Sequence, residues 1–116
     1  MADRVLFIGW NRPVAGREKQ GLETFARCQA YYEKLKANRK IEGYDIVLLD
    51  VHGGDLNNFV LIRGTADQIG AIRRDEEFIH LIIEAEYLTE GLGIVEGRIG
   101  EGATSVLTQW SKVIGA

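Results

Sequence analysis

Gly43-Tyr44-Asp45-Ile46-Val47-Leu48-Leu49-Asp50-Val51-His52-Gly53-Gly54-Asp55-Leu56-Asn57-Asn58-Phe59-Val60-Leu61-Ile62-Arg63 is the stretch from which the fold is read. Two runs of β-branched, aliphatic and aromatic residues flank a centre of Gly, Asp and Asn, the pattern of an antiparallel hairpin. Tyr44–Val51 is expected as one strand, Asn58–Arg63 as the other and His52–Asn57 as the turn. Both residue sets of each strand are apolar: Ile46 and Leu48 alternate with Val47 and Leu49, and Phe59 and Leu61 with Val60 and Ile62. A sheet with water on one face alternates apolar and polar residues. This one therefore needs cover on both faces, because a bare second face is a large exposed hydrophobic patch.

On the N-terminal side, Val5-Leu6-Phe7-Ile8 is a further doubly apolar strand, ended by Asn11-Arg12-Pro13. Residues 16 to 38 switch to helical period, with Leu22, Phe25, Gln29, Tyr32 and Leu35 on one face. On the C-terminal side, Thr65 with Gln68 forms a capping box, and Asp75, followed by Glu76 and Glu77, starts a second helical segment. Leu92–Ile99 is the fourth strand. Thr104 or Ser105 is expected to cap a last helix with the stripe Val106, Leu107, Trp110, Val113 and Ile114, docked rather than free because a short helix is unstable alone. The order is βαββαβ plus a C-terminal helix: one α+β, ferredoxin-like domain over residues 1–116 with a four-stranded antiparallel sheet. A second copy packed sheet to sheet covers the spare face, so a homodimer is expected.

That order and those doubly apolar strands resemble the dimeric α/β-barrel superfamily over residues 4 to 100. Val47–Asn57 and Arg74-Asp75-Glu76-Glu77-Phe78 resemble, more narrowly, a small group of proteins with no established activity. The resemblance implies a pocket between sheet and helices or inside the barrel. Its members include cofactor-independent monooxygenases, haem-degrading enzymes, isomerases and ligand-sensing domains, so it does not choose a chemistry.

Composition excludes more than it selects. Against 17 Asp+Glu there are 14 Lys+Arg, a net charge of −3, and the densest basic cluster, Lys36 to Lys40, falls where a helix should end. No nucleic-acid footprint is expected. No run approaches the roughly 20 apolar residues of a membrane span. The lone Cys28 and the lack of a leader pattern point to the cytoplasm. Cys28, His52 and His80 lie too far apart for a structural zinc set, and neither a metal nor a cofactor is expected.

With Val51 opposite Asn58, Val47, Leu49, Val51, Val60 and Ile62 lie under the helices. Tyr44, Ile46, Leu48, Asp50, Phe59, Leu61 and Arg63 then face the second sheet, joined by Trp10 and, from the last strand, Glu96 and Arg98. On this reading Asp50 orients His52 as a catalytic pair, and Trp10, Phe59 and Arg63 bind the ligand. The charges are equally readable as interface ion pairs, and His52 as an exposed turn residue. Gly53-Gly54 is read as turn chemistry. His80 is read as a helix-edge residue; with Asn11 and Trp10 it matches the residue types of the haem-degrading relatives but not their spacing. The functional alternatives are a small-molecule protein, binding or enzymatic without a cofactor, and a non-catalytic sensing or interaction module.

Overall fold

The computed structural model describes residues 2–115. Seven elements carry the domain: β1 (Arg4–Trp10), α1 (Glu18–Ala37), β3 (Gly43–Leu48), β4 (Asn58–Gly64), α2 (Ala66–Arg74), α3 (Glu76–Leu88) and β6 (Gly93–Arg98). Two short strands, β2 (Arg12–Pro13) and β5 (Thr89–Glu90), and the C-terminal α4 (Glu101–Ile114) complete it. The sheet order is β3-β4-β1-β6, antiparallel throughout. This is the ferredoxin-like arrangement, with the two βαβ halves interleaved so that β4 and β1 are central.

The helix starts follow local chemistry. Thr65 accepts from Gln68 N–H at 3.2 Å while the Gln68 side chain accepts from Thr65 N–H at 2.9 Å, a complete capping box on α2. Asp75 ends α2 and caps α3, accepting from Glu77 N–H at 3.2 Å. Its other oxygen accepts from Tyr31 Oη at 2.5 Å, which fixes the break between α2 and α3 against α1. Both caps are as the sequence implied. The buried face of α1 is rotated from expectation: Thr24, Cys28, Tyr31, Tyr32 and Leu35 are buried, whereas Leu22 and Gln29 are exposed. The aromatic pair Tyr31 and Phe78, 6.1 Å apart, draws the stripe towards α3.

One register decides the faces. Leu48, not Val51, stands opposite Asn58. The strand ends there and Leu49–Asn57 is loop, with Val51 fully exposed at its outer side. The shift from Val51 to Leu48 is odd, so every β3 side chain changes face. Tyr44 and Ile46 lie with Val60 and Ile62 under the helices, Leu48 is on the same side but exposed at the strand end, and Asp45 and Val47 lie with Leu61 and Phe59 on the open face. On β1 the buried Leu6 and Ile8 pair with Ile62 and Val60, so Trp10 is also on the helix side. Glu96 shares that side and pairs with Arg73 of α2 at 3.2 Å, and Arg98 follows the same alternation. Placing Tyr44, Ile46, Leu48, Trp10, Glu96 and Arg98 on the open face is thus corrected by the pairing.

The core lies between sheet and helices: Leu6, Ile8, Val60, Ile62, Ile69, Ile72, Phe78 and Leu81 with the α1 stripe. Helix α4 starts at Gly100, not at Thr104 or Ser105. Gly102 passes so close to strand β1 that a Cβ there would stand 2.4 Å from the Asp3 carbonyl oxygen, a contact only glycine permits. Beyond it Ala103 and Val106 are only partly covered and Leu107, Trp110, Val113 and Ile114 stay exposed, so within one copy the expected docking is confined to the start of the helix.

Candidate functional site

A cavity of about 250 Å³ opens between the sheet and the helices α1 and α3. Its floor is Ile8, Trp10, Asn58 and Val60 of the central strands, with Leu48 at its margin. Thr24, Phe25, Cys28 and Tyr32 of α1 form one wall, and Ile82, Ala85 and Leu88 of α3 the other. Pro13 and Thr89 close one end, because the β2–β5 pair ties the loop after β1 to the end of α3. Asn11 N–H donates to Glu90 O and Val14 N–H to Leu88 O, both at 2.8 Å, and Arg12 pairs with Glu90 at 2.8 Å. Two-residue strands carry no periodicity, so this closure is invisible to a sequence reading.

The aromatic end of the cavity is built by register. Trp10 continues the buried face of β1 and meets Phe25 of α1, ring centroids 5.9 Å apart and tilted by 55°. A cluster of asparagines holds this end in place. Asn57 Nδ2 donates to Asn11 Oδ1 at 2.5 Å, Asn58 Nδ2 donates to Asn11 O at 3.2 Å, and Asn57 N–H donates to Trp10 O at 3.2 Å. Side-chain amides here replace ladder bonds that the loop cannot make.

The polar groups of the wall are neutral. Thr24 Oγ1 donates to Glu84 Oε1 at 2.8 Å and accepts from Arg27 Nη2 at 3.0 Å, so its hydroxyl is held behind the surface. Burial pushes the Cys28 thiol up to about 11, more than the neighbouring Tyr32 hydroxyl lowers it. Burial likewise raises the Tyr32 phenol, and Cys28 adds to the rise. Both stay protonated at neutral pH. Cys28 is therefore no thiolate nucleophile and Tyr32 no base. No Asp, Glu, Lys, Arg or His is among the described lining residues. The wall supplies shape, apolar surface and hydrogen-bonding groups.

Of the five residues singled out from sequence, Trp10 alone lines this cavity. Phe59 and Arg63 are on the opposite face of the sheet. Phe59 stacks on Phe7 at 5.3 Å, and Arg63 lies over Gly43 and pairs with Asp45. Asp50 and His52 are exposed in the Leu49–Asn57 loop. The His52 ring is engaged within that loop: Nδ1 accepts from Gly54 N–H at 3.1 Å, so Nε2 carries the proton and donates to Leu56 O at 2.8 Å. These bonds describe a turn-stabilising histidine. Sequence reasoning missed Thr24, Cys28 and Asn58 as cavity residues. Asn58 reads as a turn residue until the register places it opposite Leu48.

No protein-family model and no curated protein matches the sequence. Solved structures do match the fold. A dimeric protein of ferredoxin-like fold from Bacteroides fragilis superposes with a TM-score of 0.59 at 14% identity, over 83% of this chain and 96% of that one. A Bacteroides thetaiotaomicron protein described as a possible oxidoreductase gives 0.63 at 12% identity, over 84% and 98%. SnoaB, a cofactor-independent oxygenase from Streptomyces nogalater, gives 0.51 at 19% identity, over 85% and 93%. The chain has the ferredoxin-like α+β fold that these proteins share.

Proposed function

We propose that the protein is a homodimer that binds an uncharged, largely apolar small molecule, of one or two rings, in the cavity under α1 and α3. The observation that carries the binding reading is a partly enclosed apolar cavity whose described lining holds no charged side chain. Charged ligands pay a desolvation cost there that no partner offsets. The volume, about 250 Å³, is just below the roughly 300–1,000 Å³ of drug-sized sites, which sets the ring count. Trp10 and Phe25 offer ring faces at one end. Because the Asn58 amide nitrogen is turned to Asn11, its oxygen is the acceptor assigned to a ligand hydroxyl.

Calorimetric titration with 2-naphthol against 2-naphthoate tests this reading. The phenol should bind at least tenfold more tightly than the carboxylate. Equal affinities, or tighter binding of the carboxylate, refute it.

The dimer reading is supported by the open sheet face, where Phe7, Val47, Phe59 and Leu61 are only partly covered and Val95 is exposed, and by the dimeric description of the B. fragilis protein of the same fold. Likeness in fold to an oxygenase that uses no cofactor favours one enzymatic version, in which the bound molecule reacts with dioxygen through its own electron-rich ring. The wall's role in that version is to orient the ring and exclude water. The absence of a transmembrane-length apolar helix among the described residues is compatible with the cytoplasmic location that we infer from the lone cysteine.

A further inference from the structure

Helix α4 carries a continuous apolar stripe that its own chain covers partly at Ala103 and Val106 and leaves exposed from Leu107 onward. Ala103, Val106, Leu107, Trp110, Val113 and Ile114 recur at three- and four-residue steps, hence on one helical face. The last four are 57–84% exposed. The helix projects: the radius of gyration is 15.8 Å, against about 13.4 Å for a compact domain of this length. A helix of fourteen residues is marginal in water without a packed face. The protein must therefore offer this stripe to something.

We propose that α4 is an exchanged arm: its stripe seats against the open sheet face of a second copy, reciprocally in the two copies. This rests on the dimer reading above and specifies how that dimer closes. Area argues for it. The half-covered side chains of the open face, with Val95, still offer on the order of 300 Å² of apolar surface. A stable interface needs about 800 Å² per partner. The arm adds on the order of 500 Å², which brings the two surfaces together to that size.

Position argues for it too, because α4 follows directly on β6, the edge strand that carries the exposed Val95. On the open face Arg63 and Asp45 neutralise each other, so an uncharged stripe meets no isolated charge. The remaining residues of the helix are mainly Thr, Ser and Gln, with Lys112 its one basic residue. A membrane-surface helix is instead rich in Lys and Arg on its polar side.

Sedimentation velocity on the full chain, from 1 to 100 µM, tests the arm. Leu107→Asp with Val113→Asp alters only exposed positions, so circular dichroism should be unchanged while the dimer dissociation constant rises at least 100-fold. In a Trp10→Phe background, Trp110 emission should be blue-shifted in the dimer and move to the red on dilution. Val95→Asp on the open face should also weaken the dimer.

If Val95→Asp dissociates the dimer while the double arm variant keeps wild-type affinity, the arm is refuted and the dimer stands. If the wild-type chain is a monomer at 100 µM with solvent-like Trp110, both are refuted. Vesicle binding by the monomer through α4, or a dimer unaffected by deleting residues 101–116, also overturns the proposal.

Discussion

Filling the cavity should make the protein more stable and less able to bind. Ala85 is half-buried on the α3 wall and lines the cavity together with Phe25 and Leu88. Ala85→Leu adds three carbons to a cavity of about 250 Å³, which has room for them without displacing the sheet. At roughly 0.8 kcal/mol per buried CH₂, complete burial would contribute about 2.4 kcal/mol. Because the cavity opens to solvent on one side, about half of that, roughly 1 kcal/mol, is expected. Helix propensity hardly changes, since Ala and Leu are both good formers.

For a chain of this size the gain is a Tm rise of about 4 °C, read by calorimetry at fixed protein concentration. The same side chain occupies the ligand's space, so 2-naphthol affinity should fall at least tenfold. A destabilised variant would show that the cavity is already filled by side-chain motion. A stabilised variant with unchanged affinity would place the ligand elsewhere.

Further expectations follow from single residues. Gly21 lies inside α1, and a Cβ there would meet the Pro13 ring at 3.4 Å, an ordinary contact, so Gly21→Ala should stabilise by about 0.5–1 kcal/mol in urea titration. Asp75 is held below the usual carboxylate range chiefly by the Tyr31 hydroxyl, so its contribution is present above the unfolded value of about 3.9 and lost as pH falls towards the folded value. Asp75→Asn should therefore flatten the acid limb of the stability–pH curve, and an unchanged limb would count against the contact. Cys28, with its thiol pushed up to about 11, should resist iodoacetamide at pH 8 until urea unfolds the chain, whereas rapid labelling of the folded protein would contradict its burial.

The fold was legible because it depends on element type and order. Capping residues such as Thr65 and Asp75 mark helix starts whatever lies above them, and the doubly apolar strands announce a sheet covered on both faces. The site was less legible because it depends on register. Whether β3 pairs from Val51 or from Leu48 is decided by how the Leu49–Asn57 loop closes, and no periodic signal separates the two. That one choice sent Tyr44, Ile46 and Leu48 to the wrong face, while Trp10 was misplaced separately, because its parity with Leu6 and Ile8 does not say which side of β1 the helices cover. The same choice also drew attention to Asp50 and His52, which the loop keeps at the surface. Thr24 and Asn58 of the cavity are not residue types by which sequence reading finds chemistry, and the lone Cys28 signals only a metal set or a redox compartment.

The proposal that this cavity is where the protein meets its ligand is tested most directly by an amide and indole NMR titration of the full chain with 2-naphthol. The expected result is saturable, with a dissociation constant of about 10–100 µM for a ligand of this size. Shifts should centre on the Trp10 indole, the Asn58 side-chain amide and the Thr24, Cys28 and Ala85 amides, while Val51, His52 and Gly53 stay still. No saturable shift at millimolar ligand, or shifts confined to the Leu49–Asn57 loop, to α4 or to the Phe7–Phe59 face, would contradict it.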